Sequence, residues 1–63
     1  MSEVISFLID NNFTTTDNVW YESPDKSFFI GVEDGNVVYW KEGMYTSWEL
    51  DDPITAIKAL LAT

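Results

Sequence analysis

Alternation of apolar and polar positions is clearest between Ser27 and Leu50, SFFIGVEDGNVVYWKEGMYTSWEL. Runs rich in aromatic and β-branched residues are broken there at Asp34-Gly35 and at Glu42-Gly43. Asp-Gly is a strong two-residue hairpin signal, because a type I′ turn needs positive φ at both central positions. Glu42-Gly43 offers a second turn of the same kind, so the pattern predicts three consecutive antiparallel strands. Across the first turn Val32 is expected opposite Val37, Ile30 opposite Tyr39 and Phe29 opposite Trp40. Across the second, Trp40 is expected opposite Tyr45, Tyr39 opposite Thr46 and Val37 opposite Trp48. Side chains alternate along a strand, so these pairs sort into two faces. Phe28, Ile30, Val32, Val37, Tyr39, Met44, Thr46, Trp48 and Leu50 form a nearly all-apolar set that should be the core. Phe29, Gly31, Glu33, Val38, Trp40, Glu42, Tyr45, Ser47 and Glu49 form the other face, which mixes large aromatics with glutamates.

Upstream the period changes. Val4, Ile5, Leu8 and Ile9 fall at helical spacing, with Phe7 towards the edge of that face. Ser2 is placed to cap this helix, Glu3 lies in its first turn, and Asn11-Asn12 ends it because Asn tolerates the left-handed conformation. Phe13 then folds back towards Leu8 or Ile9. Thr14 to Asn18 reads as a polar connector with an extended start, and Val19 to Glu22 as a strand. Ser23-Pro24-Asp25-Lys26 is a turn. With Pro24-Asp25 as its loop, Val19 and Tyr21 join the core face, and Trp20 and Glu22 join the outer face, Trp20 opposite Phe29. Downstream, Asp52 is an expected N-cap and Pro53 suits the first helical position, where its missing N–H costs nothing. Ile54, Ala56, Ile57, Ala59, Leu60 and Leu61 describe an amphipathic helix with Lys58 outward. The expectation is a single α+β domain over residues 1–63: a helix, a four-stranded antiparallel meander and a C-terminal helix, both helices on one face of the sheet.

Composition sharpens this. A chain of 63 residues buries only about 60% of its unfolded surface, so it needs additional support. With no cysteine and no histidine, disulfides and the usual zinc ligands are excluded. Aromatics at 16% of residues are the compensation, since each buries a large area. The formal net charge is −8, from 11 acids against Lys26, Lys41 and Lys58, with no arginine. Such a surface is unsuited to direct nucleic-acid binding or to an anionic membrane. It favours basic partners and speeds their association, and it also keeps an aromatic-rich chain in solution. No signal peptide pattern and no apolar stretch of membrane-spanning length occur, so a cytoplasmic location is expected. Asn12-Phe13-Thr14 matches a glycosylation sequon, which means little without export.

Catalysis finds no support in the residues. Acid–base and nucleophilic chemistry most often use histidine or cysteine. The carboxylate pairs Glu33-Asp34 and Asp51-Asp52 are explained by turn and cap roles, so no enzyme is expected. Asp34-Gly35-Asn36 does not fit the EF-hand frame, and neither a metal nor a cofactor is expected.

The outer face remains. In the expected register Trp20, Phe29, Trp40 and Tyr45 form a row crossing four strands, flanked by Glu22, Glu33, Glu42 and Glu49. Two structural readings apply: cross-strand aromatic pairing, which stabilises a sheet by roughly 0.2–1 kcal/mol per pair, or a helix covering this side. The functional reading is a contact site, because contiguous apolar patches on a monomer usually mark one, and Tyr and Trp are preferred interface anchors. Glu22, Glu33, Asp34, Glu42 and Glu49 are the candidate partner-binding acids, and Phe29, Trp40 and Tyr45 the apolar anchor. Asp25, Asp51 and Asp52 are second choices.

Proteins with many Lys and Arg around a groove include those that bind nucleic acid, since they must neutralise phosphates. Carboxylates could stand in for phosphates there, so the expected function is inhibition of a nucleic-acid-binding protein by DNA mimicry. A general interaction module or homodimer using the aromatic face is the alternative. An antitoxin or immunity-type inhibitor of a basic nuclease shares the electrostatics. A small, cysteine-free, aromatic-rich acidic domain running from Met1-Ser2-Glu3-Val4 to Asp51-Asp52-Pro53-Ile54 resembles the phage-encoded anti-CRISPR proteins of the DNA-mimic type. That resemblance covers size, charge and element order, and implies a CRISPR effector complex in the host cell as target, at its PAM-reading or DNA-binding surface.

Overall fold

The computed structural model describes residues 3–62; the expected Ser2 cap lies outside them. The element order is α1 (Glu3–Asp10), β1 (Thr14–Thr15), β2 (Trp20–Glu22), β3 (Phe29–Glu33), β4 (Asn36–Trp40), β5 (Trp48–Glu49) and α2 (Pro53–Leu61). The strands form one antiparallel meander in the order β1-β2-β3-β4-β5. The α+β class and the helix–meander–helix order are as the sequence predicts, with a fifth strand where the polar connector has its extended start. Thr14 pairs with Glu22 and Thr15 with Tyr21.

The chain leaves α1 through a tight reversal. Asn12 has φ 68°, its N–H donates to the Ile9 carbonyl at 3.1 Å, and the Phe13 N–H donates to the Leu8 carbonyl at 3.0 Å. These two bonds are a Schellman cap, which normally brings an apolar contact with it. Phe13 and Leu8 are both buried in the core cluster, so the cap aims the chain back onto the helix.

The core lies between one sheet face and both helices. Leu8 of α1, Ile57 of α2 and Ile30 of β3 are fully buried, with Phe13, Tyr21, Phe28 and Val37 around them. Phe28 meets Phe13 edge-on at 5.7 Å and lies 5.6 Å from the Tyr39 ring. The alternation places Tyr21, Ile30, Val32, Val37 and Tyr39 on this face as expected. Three expected core positions are corrected. Ile9 is 54% and Trp48 66% exposed, and Thr46 is also exposed. Ile9 sits beyond the stripe that α1 presents to the sheet. Trp48 points to the helix side, but α2 does not extend over the border strand that carries it.

Two registers also differ from expectation, each by two residues. Trp20 pairs with Gly31 rather than Phe29, and Glu22 pairs with Phe29. Tyr39 pairs with Trp48 rather than Thr46. The β3–β4 register is as expected. The shifts come from longer loops. The β2–β3 loop is closed by the Ser23 N–H to the Phe28 carbonyl, leaving four residues at its tip. Glu42-Gly43 does turn, with Gly43 at φ 97° and the Met44 N–H on the Lys41 carbonyl, but residues 44–47 stay outside the ladder and pairing resumes at Trp48. Even shifts preserve the faces. At α2, Asp52 occupies the N-cap position, yet its side chain makes no capping bond; its ψ of 79° is far from the extended value that aims a cap at the N2 and N3 amides. The first helical bond is instead backbone, from the Ala56 N–H to the Asp52 carbonyl.

Candidate functional site

Neither helix covers the outer face, and the aromatics predicted there do converge. Trp20, Phe29, Trp40 and Tyr45, with Thr46 and Ser47, line an open depression of about 370 Å³. Phe29 and Trp40 are a cross-strand pair, their rings 5.8 Å apart and inclined at 51°. Trp20 is held by a different device. A Cβ on Gly31 would lie 2.9 Å from Trp20 Cζ3 and 2.9 Å from Val38 Cγ2, so the indole rests on the backbone that glycine leaves bare. Glycine in a strand interior often marks such a close approach. Tyr45 belongs to the loop after β4 rather than to a strand, and it is fully exposed.

The acids divide between the two ends of the sheet. At one end the Val32 N–H bonds the Val19 carbonyl, the Leu50 N–H bonds the Val37 carbonyl, and Asp34-Gly35 closes the β3–β4 turn with φ 49° and 81°. Chain direction therefore brings Asp17, Glu33, Asp34, Glu49, Asp51 and Asp52 to this end. Glu49 and Asp51 border one shallow depression there with Gly35 and Asn36. Glu33 and Asp34 border another, which shares Trp20 and Ser47 with the aromatic one. Of the predicted acids, Glu33, Asp34 and Glu49 are thus brought together. Glu22 and Glu42 lie towards the opposite end, Glu22 beside Phe29 in the ladder and Glu42 in the turn after β4. Lys26 and Lys41 belong to loops at that opposite end, and Lys58 sits on α2 with its Nζ 6.0 Å from the Phe7 ring centre. The acidic end carries no lysine among the described residues.

Two loops owe their shape to aspartates, Asp17 in the expected polar connector and Asp25, a second-choice partner-binding acid, in the expected turn. Asp17 Oδ1 accepts the Trp20 and Val19 N–H groups, each at 2.9 Å, and the Thr15 hydroxyl. These bonds, that of Trp20 foremost, hold its pKa below the ordinary aspartate value. They also fix the backbone at Trp20 itself. In the β2–β3 loop Asp25 Oδ1 accepts the Ser27 hydroxyl at 2.6 Å, the Ser23 hydroxyl at 2.8 Å and the Ser27 N–H at 3.0 Å. The Ser27 hydroxyl, then that of Ser23, lowers its pKa. Ser23 is the buried polar centre of this loop, its Oγ accepting the Ser27 and Phe28 N–H groups.

A second apolar groove, on the helix side, runs between α2 and the β5 border. Tyr39, Met44, Trp48, Leu50, Ala56, Ala59 and Leu60 line it. Sequence reasoning misses it because it treats Trp48 as buried. No cluster of three or more potential metal ligands occurs among the described residues, and no described helix is long and apolar enough to cross a membrane. Comparison with known protein families, with curated proteins and with solved structures finds no match for this chain.

Proposed function

We propose that the protein is a small acidic inhibitor that binds a basic nucleic-acid-binding protein, such as a CRISPR effector complex, and blocks its DNA-binding surface by presenting carboxylates where phosphates would sit. The observation that carries this reading is the lysine-free acidic end of the sheet, where Glu33 and Asp34 border a depression that adjoins the aromatic one and Glu49 and Asp51 border a second depression beside the same turn. Carboxylates gathered at one end of a short antiparallel sheet present negative charge to a basic groove as phosphates on a duplex do, and salt screens that attraction. The aromatics add an apolar anchor that DNA lacks.

The test is capture of the target from a candidate host, followed by competition with duplex DNA. The captured protein should be displaced by DNA and lost steeply between low and moderate ionic strength. Glu33→Lys combined with Glu49→Lys, both exposed side chains outside the turn, should abolish capture without changing the far-UV circular dichroism. Normal capture by that variant, or a target indifferent to DNA, would remove the mimicry reading. An interaction module using the aromatic face is the second reading, favoured by the full exposure of Tyr45; it predicts capture that barely responds to salt.

A further inference from the structure

We propose that the depression between Trp20, Phe29, Trp40 and Tyr45 receives the guanidinium of an arginine side chain presented by the partner protein. The inference rests on the reading that the partner is basic, and adds the chemistry of its anchoring residue. The depression is lined by four aromatic rings and two hydroxyl residues, Thr46 and Ser47, with no charged side chain among them. Its volume, about 370 Å³, is at the small end of the roughly 300–1,000 Å³ of ligand sites, suited to one side chain rather than to a helix.

Charge selects a cation. Adjoining depressions place Asp17 and Glu22 on one side of Trp20, and Glu33 and Asp34 on the other. No lysine lines any of the three. Aromatic faces attract cations through their quadrupole, Trp most strongly. Between the two basic side chains, the guanidinium is flat, weakly hydrated and able to stack, and its donors project beyond the ring edge. Here those donors would find the Thr46 and Ser47 hydroxyls and the bordering carboxylates. An ammonium is a compact, strongly hydrated charge and gains less. A second copy of the chain is a poor occupant, since it has no arginine and a net charge of −8.

Three of the four walls are held by packing in the free protein. Trp20 is seated on Gly31, Phe29 and Trp40 are half-buried, and Tyr45 buries no ring surface in the free protein. Tyr45→Ala therefore removes a wall without touching the core.

The experiment is an NMR titration of the whole protein, at constant ionic strength, with the peptide acetyl-Gly-Arg-Gly-amide and its citrulline and lysine counterparts. Citrulline keeps the shape and removes the charge. The arginine peptide should shift the Trp20 and Trp40 indole N–H signals saturably, with the lysine peptide several-fold weaker and the citrulline peptide at least tenfold weaker. Tyr45→Ala, with unchanged circular dichroism, should weaken the arginine peptide several-fold. Equal binding of the citrulline peptide would make the site merely apolar. Equal binding of the lysine peptide would remove the guanidinium assignment. Shifts confined to Trp48, or no saturable shift, would overturn the site. A target still displaced by DNA from a protein whose Trp20 and Trp40 ignore the peptide would end this inference and leave the mimicry reading standing.

Discussion

Gly31→Ala is the sharpest perturbation of the outer face. Gly31 is in the middle of β3 and does not have a positive φ, so alanine meets no backbone objection and its cost is steric. The new methyl would lie 2.9 Å from Trp20 Cζ3, 3.0 Å from Trp20 Cη2 and 2.9 Å from Val38 Cγ2. Favourable carbon–carbon separations are about 3.5–4.0 Å, so each contact is short by about 0.5–1 Å. Overpacking of this kind typically costs about 1–3 kcal/mol. Restricting the unfolded chain returns about 0.4–1 kcal/mol, leaving a net loss of about 1–2 kcal/mol. For a chain of this length, total stability is about 3–9 kcal/mol, so the loss is easily measured. Urea unfolding followed by circular dichroism should show a midpoint lower by about 1–2 M at a slope near 1 kcal/mol/M. The same change made in a Trp20→Leu background should cost clearly less, since Cζ3 and Cη2 are gone and only Val38 remains in the way. A coupling of about 1 kcal/mol between the two positions is expected. Equal costs in the two backgrounds, or a Gly31→Ala protein as stable as the parent, would refute the seating of Trp20 on Gly31.

Three further outcomes follow from other parts of the fold. Leu8→Ala, at a fully buried position where both helices meet the sheet, should cost about 2–5 kcal/mol and lower the urea midpoint by more than Gly31→Ala does. Gly35→Ala meets no atom within 4 Å but must adopt φ 81°, so a loss of about 1–2 kcal/mol is expected from conformation alone, with Gly35→Asn losing less in the same urea assay. Asp17 has a depressed folded pKa, with the Trp20 and Val19 amides as its main causes. Its contribution to stability is therefore present above the unfolded aspartate value of about 3.9 and is lost as pH falls through the lower folded value. Asp17→Asn should be less stable than the parent at pH 7, and its stability should fall less steeply below about pH 4.

The β3–β4 hairpin was legible because Asp34-Gly35 fixes both the turn and its register, and period-two alternation then assigns faces without further information. The same logic placed Trp20, Phe29, Trp40 and Tyr45 on one side. What it missed depends on loop geometry. The β2–β3 loop looked like a two-residue turn at Pro24-Asp25, but the hydroxyl of Ser23 satisfies two amides and opens it to four residues. Glu42-Gly43 carries a real turn signal that no ladder bond follows. Both displacements are even, so the aromatic face survived while the pairings did not. Thr14-Thr15 is too short and polar to announce a strand; tertiary pairing with Tyr21 and Glu22 makes it one. The separation of Glu22 and Glu42 from Glu33, Asp34 and Glu49 was implicit in the meander, whose successive turns fall at opposite ends of the sheet, but alternation sorts residues by face and passes over it.

The two outermost strands, β1 and β5, are only two residues long each. A sheet recruits extra strands through the unpaired amides and carbonyls of its margins, and curtailed margins offer little to a newcomer. Stacking into fibrils is thereby discouraged even though Trp48 and Tyr45 lie open to water. The same brevity bears on recognition: a visiting protein that gripped this molecule by lending it a strand would find almost no backbone to grip, so contact has to be made broadside, through side chains.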